Sequence, residues 1–244
     1  MVSFLDKYDS HRFWLEYGKP QIQHFVKDYP AFKHGREDVF KILFPFIKDA
    51  ETVLDCGCGQ GYFIQFLLGL QPEKNVFGID LSKDVIHMSK VKRRIVADAS
   101  FIPFKEKSFD AVYFITVLQH LEDQLVSKIG SEVNRVLKDA GWCLIYEATD
   151  EVNKRVGFSM WIRSKKYYQQ LLQMKPMEEI EGINYALAFK FSSFIPRRLR
   201  HIEPFFFIFK NIQNLEVFFS EMLKTRTKNI KLVIFKKKEF GNSK

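Results

Sequence analysis

The sequence predicts an α/β fold: helices first, then a mostly parallel sheet, then a helical insertion ahead of the last strand. Three observations point there. From Glu51 onward, short apolar runs alternate with helical stretches, the pattern of βαβ units. A glycine-rich turn joins the first run to a helix, and acidic residues end the second and third runs.

The segment to about Ala50 reads as helical, because Ile22, Phe25 and Val26, and then Val39, Phe40, Leu43 and Phe44, recur at helical spacing. Pro20, Pro30 and Gly35 punctuate it. The apolar runs that follow are Thr52 to Cys56, Asn75 to Ile79, Arg94 to Ala97, Ala111 to Ile115 and Trp142 to Tyr146. Between the last two, Leu125, Ile129, Val133, Val136 and Leu137 mark one face of a helix. Glu122 and Asp123 suit its start, Arg135 and Lys138 its end, and Asp139-Ala140-Gly141 stops it. Beyond Asp150 the spacing predicts a helix over Met160 to Gln173, a strand after Met177 and a closing strand over Ile230 to Lys237. The stretch from Phe194 to Lys228 is too long for an ordinary loop and is read as a helical insertion.

The 244 residues, 46% of them hydrophobic, suit one domain: a helical cap to residue 50, a core over 51–150, and a variable region over 151–244 with the insertion at about 194–228. No run approaches the ~20 apolar residues that span a bilayer, and three cysteines cannot build a disulfide framework. A cytoplasmic protein is expected. Cys56 and Cys58 lack two further ligands nearby, so no metal site is expected. The net charge of +9 is C-terminal: Glu151 to Lys244 holds 19 Lys/Arg against 8 Asp/Glu, and the rest holds 19 against 21. Such a surface fits RNA, anionic lipid or a phosphorylated ligand, and equally the solvated faces of helices.

The chemistry centres on Val53-Leu54-Asp55-Cys56-Gly57-Cys58-Gly59-Gln60-Gly61-Tyr62-Phe63. Glycines let the backbone turn sharply and approach a ligand, and the helix that follows offers N–H groups to an anion. Dinucleotide binding calls for Gly-x-Gly-x-x-Gly, whereas here the third glycine arrives one residue early and Tyr62 takes its place. Nicotinamide binding loses ground. Asp80 stands about 20 residues past the loop, where an acid can accept both ribose hydroxyls. Asp98, followed by Ala99, can receive an adenine amino group. Each could instead be a turn or cap residue, and Leu81-Ser82 is a fair helix start.

From Glu51 to Glu147 these segments resemble class I S-adenosylmethionine-dependent methyltransferases, of the kind typified by small-molecule and ubiquinone-pathway enzymes. Ala97-Asp98-Ala99, Ile102-Pro103-Phe104, Ser108-Phe109-Asp110-Ala111-Val112 and Val117-Leu118-Gln119-His120-Leu121 carry the likeness. The resemblance implies a Rossmann-like seven-stranded sheet of order 3-2-1-4-5-7-6. It places Asp55, Gly57, Gly59 and Gly61 around the methionine part of the cofactor, Asp80 and Leu81 at the ribose, Asp98 and Ala99 at the adenine, and Thr116 and Val117 near the sulfonium. Leu137-Lys138-Asp139-Ala140-Gly141 departs from the family's Leu-Lys-Pro-Gly-Gly turn.

Methyl transfer to oxygen or nitrogen needs alignment and, for a weakly acidic acceptor, a base. His120 is the candidate for that base, and a helix cap is its other reading. Glu147 could face the acceptor or pair with a surface cation; Tyr8, Trp14 and Tyr17 could form a lid or simply core. Thr116-Val117-Leu118-Gln119 replaces the Asn/Asp-Pro-Pro-aromatic signature of DNA amino-methylation, and no Pro-Cys pair exists for attack on a pyrimidine. A small-molecule, glycan or lipid-linked acceptor is expected, with RNA, or a non-catalytic cofactor-binding subunit, as alternatives. Phe205 to Phe209 beside Arg197, Arg198 and Arg200 could form an apolar surface with a basic rim, or pack into the core.

Overall fold

A computed structural model of the chain describes residues 9–16, 31–88, 91–156, 160–181 and 230–237. Helix α1 covers residues 10–16. Then follow α2 (Ala31–Ile47), β1 (Thr52–Cys56), α3 (Tyr62–Leu70), β2 (Asn75–Asp80), α4 (Lys83–His87), β3 (Arg94–Val96) and β4 (Phe109–Ile115). After a single 3-10 turn at Leu118–His120 come α5 (Asp123–Val136), β5 (Leu137–Ala148), β6 (Lys154–Val156), β7 (Met160–Ile162), α6 (Lys165–Leu172), β8 (Lys175–Glu181) and β9 (Ile230–Lys236).

Seven strands form one sheet in the order β3-β2-β1-β4-β5-β9-β8, while β6 and β7 make a separate hairpin. Counted without that hairpin, the order is 3-2-1-4-5-7-6. The first five strands run parallel and β9 is antiparallel to both its neighbours. A strand covered on both faces is mostly apolar, which is why β1 and β4 read as nearly continuous runs, interrupted only by Thr52 and Asp55 in β1 and Asp110 in β4. Alternation then sorts the residues. Leu54, Val112, Phe114, Cys143, Ile145 and Phe235 pack on Val126, Ile129 and Val133 of α5 and on Tyr168 and Leu172 of α6. Val53, Ala111, Tyr113, Leu144 and Ile234 pack on Phe40, Leu43 and Ile47 of α2 and on Phe63, Ile64 and Leu67 of α3.

Three boundaries differ most from the sequence reading. The expected helix from Met160 to Gln173 is strand β7 followed by α6, because Met160, Trp161 and Ile162 pair with Val156, Arg155 and Lys154, and the helix begins only where the Ser164 hydroxyl accepts the Tyr167 N–H. Strand β8 begins at Lys175, before Met177, since it pairs with β9 from Lys175 onward. Strand β5 begins at Leu137, opposite Phe109. Its register then jumps so that Trp142 meets Ala111, and the expected turn at Asp139-Ala140-Gly141 survives as a bulge with Ala140 at φ 59. Among the described residues no helix is long and apolar enough to cross a membrane. Tyr8, Tyr17, the Ile22–Val26 segment, and the insertion with Phe205 to Phe209 and its arginines lie outside the described residues.

Candidate functional site

Parallel strands leave their C-terminal ends at one edge of the sheet, where loops can build a cleft. A cavity of about 520 Å³ opens there, within the usual range for small-molecule sites. Its lining joins Gly57 and Gly59 after β1, Asp80 and Leu81 at the end of β2, Asp98 and Ala99 after β3, and Thr116, Val117 and His120 after β4. These residues are spread over positions 57 to 120 of the sequence, yet they meet because their strands are neighbours. Asp55 and Gly61 do not line it.

The loop after β1 is held by backbone bonds to β2 and within itself. The N–H groups of Gly57 and Cys58 donate to the Ile79 carbonyl at 2.8 and 3.0 Å, and that of Gly61 to the Cys58 carbonyl at 2.8 Å. Gly57 has φ 79, and a Cβ there would sit 2.4 Å from Cγ2 of Val117, so both the turn and the close approach of the facing loop demand glycine. The Gly59 N–H donates to Oδ2 of Asp80 at 2.9 Å, and Ser82 N–H to Oδ1 at 2.8 Å. Each Asp80 oxygen therefore keeps a lone pair for a ligand hydroxyl. Burial pushes the Asp80 carboxyl up, while the Ser82 and Gly59 N–H groups and Arg94 oppose the rise.

Asp55 lies beneath the loop, 4% exposed. Burial pushes its carboxyl up to about 8, the nearby Tyr113 hydroxyl pulls it down, and Asp80 adds to the rise.

At the far end, Asp98 Oδ1 accepts the Ser100 N–H at 2.8 Å and Oδ2 lies 2.9 Å from His11 Nε2. Burial raises this carboxyl, but the Ser100 bonds and His11 outweigh it and hold the group below its usual range. Sequence reasoning missed His11 and Ser10, because nothing local in α1 links them to residues about 90 to 110 positions away. The Ser10 N–H donates to Glu122 Oε1 at 3.1 Å, its hydroxyl bonds Glu122 as well, and the Trp14 ring stands edge-on to His120 at 5.5 Å. Helix α1 thus covers the cleft from Asp98 to His120, with Trp14 in the lining.

His120 ends the 3-10 turn after β4, and its Nε2 lies 3.2 Å from Gln119 Nε2. Helix α5 takes Glu122 as its N-cap residue, so His120 does not cap it. Glu147 neither faces the cleft nor reaches the surface. It is fully buried and accepts the N–H groups of Val117, Leu118 and Gln119. Desolvation pushes its carboxyl up to about 7, against those three bonds and Arg163. Leu121, Leu125, Ile129, Met160, Trp14 and Val117 give the cleft apolar walls, Ser10, Ser82, Thr116 and Gln119 add neutral polar groups, and among the described residues no lysine or arginine lines it. The three cysteines are buried free thiols, and among the described residues no cluster could hold a metal.

Comparison with known proteins gives the site a context. Residues 54–145 match the family described as "Methyltransferase domain". An uncharacterized protein of Methanocaldococcus jannaschii is 41% identical over 99 residues, covering 39% of this chain and 36% of that one. A tRNA (carboxymethyluridine(34)-5-O)-methyltransferase of Arabidopsis thaliana is 35% identical over 128 residues, covering 51% and 31%. The chain thus spans about a third of the length of these relatives. A geranyl diphosphate C-methyltransferase from Streptomyces coelicolor, solved with Mg2+, geranyl diphosphate and S-adenosyl-L-homocysteine, shares the fold with a TM-score of 0.59 at 15% identity, covering 81% of this chain and 76% of that one.

Proposed function

We propose that this chain, whose residues 54–145 match the family described as "Methyltransferase domain", binds S-adenosylmethionine in the cleft and transfers its methyl group to an oxygen or nitrogen of a small-molecule, glycan or lipid-linked acceptor. The observation that carries the reading is the convergence of four consecutive strand ends on one cavity. Glycine stands where the donor chain would pass, and a carboxylate stands at each of the two following ends.

The residues present fit the cofactor. Asp80 would accept the ribose hydroxyls on its remaining lone pairs with Leu81 beside them, and Asp98 with Ala99 would receive the adenine amino group. Gly57 and Gly59 would admit the methionine end, with Gly61 shaping the turn and Asp55 supporting it from below. When bound, the cofactor supplies a methyl carbon activated by the adjoining positive sulfur. The protein's part is alignment and exclusion of water. Thr116 and Val117 would border the reacting end, the apolar walls keep it dry, and His120 at the rim would take the proton from a hydroxyl acceptor.

The apolar lining, without a described lysine or arginine, favours a neutral or apolar acceptor over a phosphate-rich one. A second reading, transfer to RNA, draws on the tRNA-methylating relative and on the basic C-terminal part of the sequence. Incubation with methyl-labelled donor and separate metabolite, lipid and RNA fractions tests both. Label in the metabolite or lipid fraction, lost with Asp80→Ala, supports the first. Label in RNA alone, with affinity falling steeply as salt rises, would replace it with the second.

A further inference from the structure

The turn that follows β4 carries Thr116, Val117 and His120 into the cleft, and its backbone is strained. Thr116 has φ 54, a left-handed conformation unfavourable for a β-branched residue. Such a conformation persists only where the surroundings over-determine it. Two buried side chains do so, one through the turn's N–H groups and one through its carbonyls. Glu147, 0% exposed, accepts the N–H groups of Val117, Leu118 and Gln119 at 2.7, 2.8 and 3.3 Å. Arg163, 1% exposed, donates to the Leu118 carbonyl at 2.7 Å, to the Leu121 carbonyl, and to Asp123 at 2.8 Å. The Glu147 carboxyl holds the turn's donors, and the Arg163 guanidinium, paired also with Asp123, holds its acceptors.

The grip reaches the cleft along two routes. Gln119, whose N–H is bound by Glu147, accepts the Ala148 N–H through Oε1 at 2.9 Å and stands against His120 with its other end. Val117, bound by Glu147 at its N–H, places its side chain against Gly57 of the opposite loop.

We propose that Glu147 and Arg163 are positioning residues for the methyl-transfer end of the cleft: by fastening the turn over residues 116–121 they set where His120 points and how closely Val117 approaches Gly57. The claim that this end is the reacting one rests on the function proposed above; the fastening itself does not. Neither side chain lines the cavity, so both act through the turn. Arg163 lies between β7 and α6, which ties the region after residue 150 directly to the cofactor-side core.

A pair that only stabilised the fold would lower the melting temperature and leave the cleft of the folded protein unaltered. The test is therefore made on the full chain, with the imidazole NMR signal of His120, identified by its loss in His120→Asn, and the calorimetric Kd for S-adenosylhomocysteine. Glu147→Gln, which keeps the shape and removes the charge, is expected to shift the His120 signal and raise the Kd about tenfold. Glu147→Asp is expected to recover part of both, and Arg163→Lys to shift the same signal. A folded Glu147→Gln protein with an unmoved His120 signal and a Kd within about twofold of wild type would overturn the proposal. Should Glu147→Gln fail to fold, Glu147→Asp, one methylene short of the three N–H groups, is judged by the same two readouts. If the wild-type chain does not bind the nucleotide at all, the proposed function fails, and the His120 signal alone still decides the positioning claim.

Discussion

Replacing the three loop glycines one at a time with alanine separates backbone strain from crowding. At Gly57 both act. A φ of 79 puts alanine in the left-handed region, which costs about 1–2 kcal/mol. The new Cβ would lie 2.4 Å from Val117 Cγ2 and 3.3 Å from Val117 Cβ, so rotating the valine does not clear it. Val117 cannot simply retreat, because its N–H is held by Glu147. Overpacking of this kind adds about 1–3 kcal/mol, for a total of about 2–5 kcal/mol. For a chain of this size that lowers the Tm by roughly 4–20 °C. At Gly59 the nearest atom is Val85 Cγ1 at an ordinary 3.8 Å, so only the strain of about 1–2 kcal/mol remains. At Gly61 the neighbours are Arg94 Cδ and Val91 Cγ1, both at 3.0 Å, and the flexible arginine can move. Thermal unfolding should therefore rank the losses Gly57→Ala, then Gly61→Ala, then Gly59→Ala. Titration with S-adenosylhomocysteine should rank differently, with Gly57→Ala and Gly59→Ala weakened and Gly61→Ala within about threefold of wild type, because Gly61 does not line the cleft. Equal destabilisation by Gly57→Ala and Gly59→Ala, or loss of binding confined to Gly61→Ala, would refute the reasoning.

Other expectations follow from the same contacts. The Asp55 carboxyl titrates near 8 in the fold against 3.8 for an ordinary aspartate, so between those values the folded chain holds a proton that the unfolded chain has released. Its contribution to stability is thus complete below about pH 4 and is lost as pH rises through about 8. Urea unfolding of the wild type should lose up to about 1.4 kcal/mol per pH unit in that window relative to Asp55→Asn; parallel curves for the two proteins would exclude the assignment. His11→Ala removes a half-exposed contact to Asp98, worth about 0–1 kcal/mol, so the Tm should stay within a few degrees. Stopped-flow measurement should show faster nucleotide release once α1 loses that tie, and an unchanged off-rate would mean that α1 does not cover the bound nucleotide.

The central strands were legible because burial on both faces leaves a largely apolar run, and every run but Ala111 to Ile115, which meets Thr116, ended on a glycine or acid that marks a strand end. β7 was not. Met160-Trp161-Ile162 is too short to show a period of its own, and it merges with the helical spacing of α6 that follows. The cleft's floor was legible for the same reason as the strands: Gly57, Asp80, Asp98 and Val117 each follow a readable run. The supports around it were hidden in long-range pairings. Glu147 ends a readable strand, yet nothing local tells that its carboxylate turns inward to the N–H groups of residues 117–119. Arg163 sits 45 positions from the Leu118 carbonyl it holds, and His11 sits 87 from Asp98. Such contacts leave no periodic trace. A buried ionisable residue just past an apolar run is the only hint, and it reads equally well as a surface group.

The central claim is that the loop after β1 and the carboxylates after β2 and β3 together hold the methyl donor. Isothermal titration of the folded chain with S-adenosylmethionine and S-adenosylhomocysteine tests it most directly, with Asp80→Ala beside it. The account predicts one site per chain for both nucleotides. In the variant, affinity should fall at least tenfold, since charge-assisted bonds to the ribose are lost, while far-UV circular dichroism stays unchanged. No heat with either nucleotide, or an Asp80→Ala protein that binds as tightly as the wild type, would contradict it.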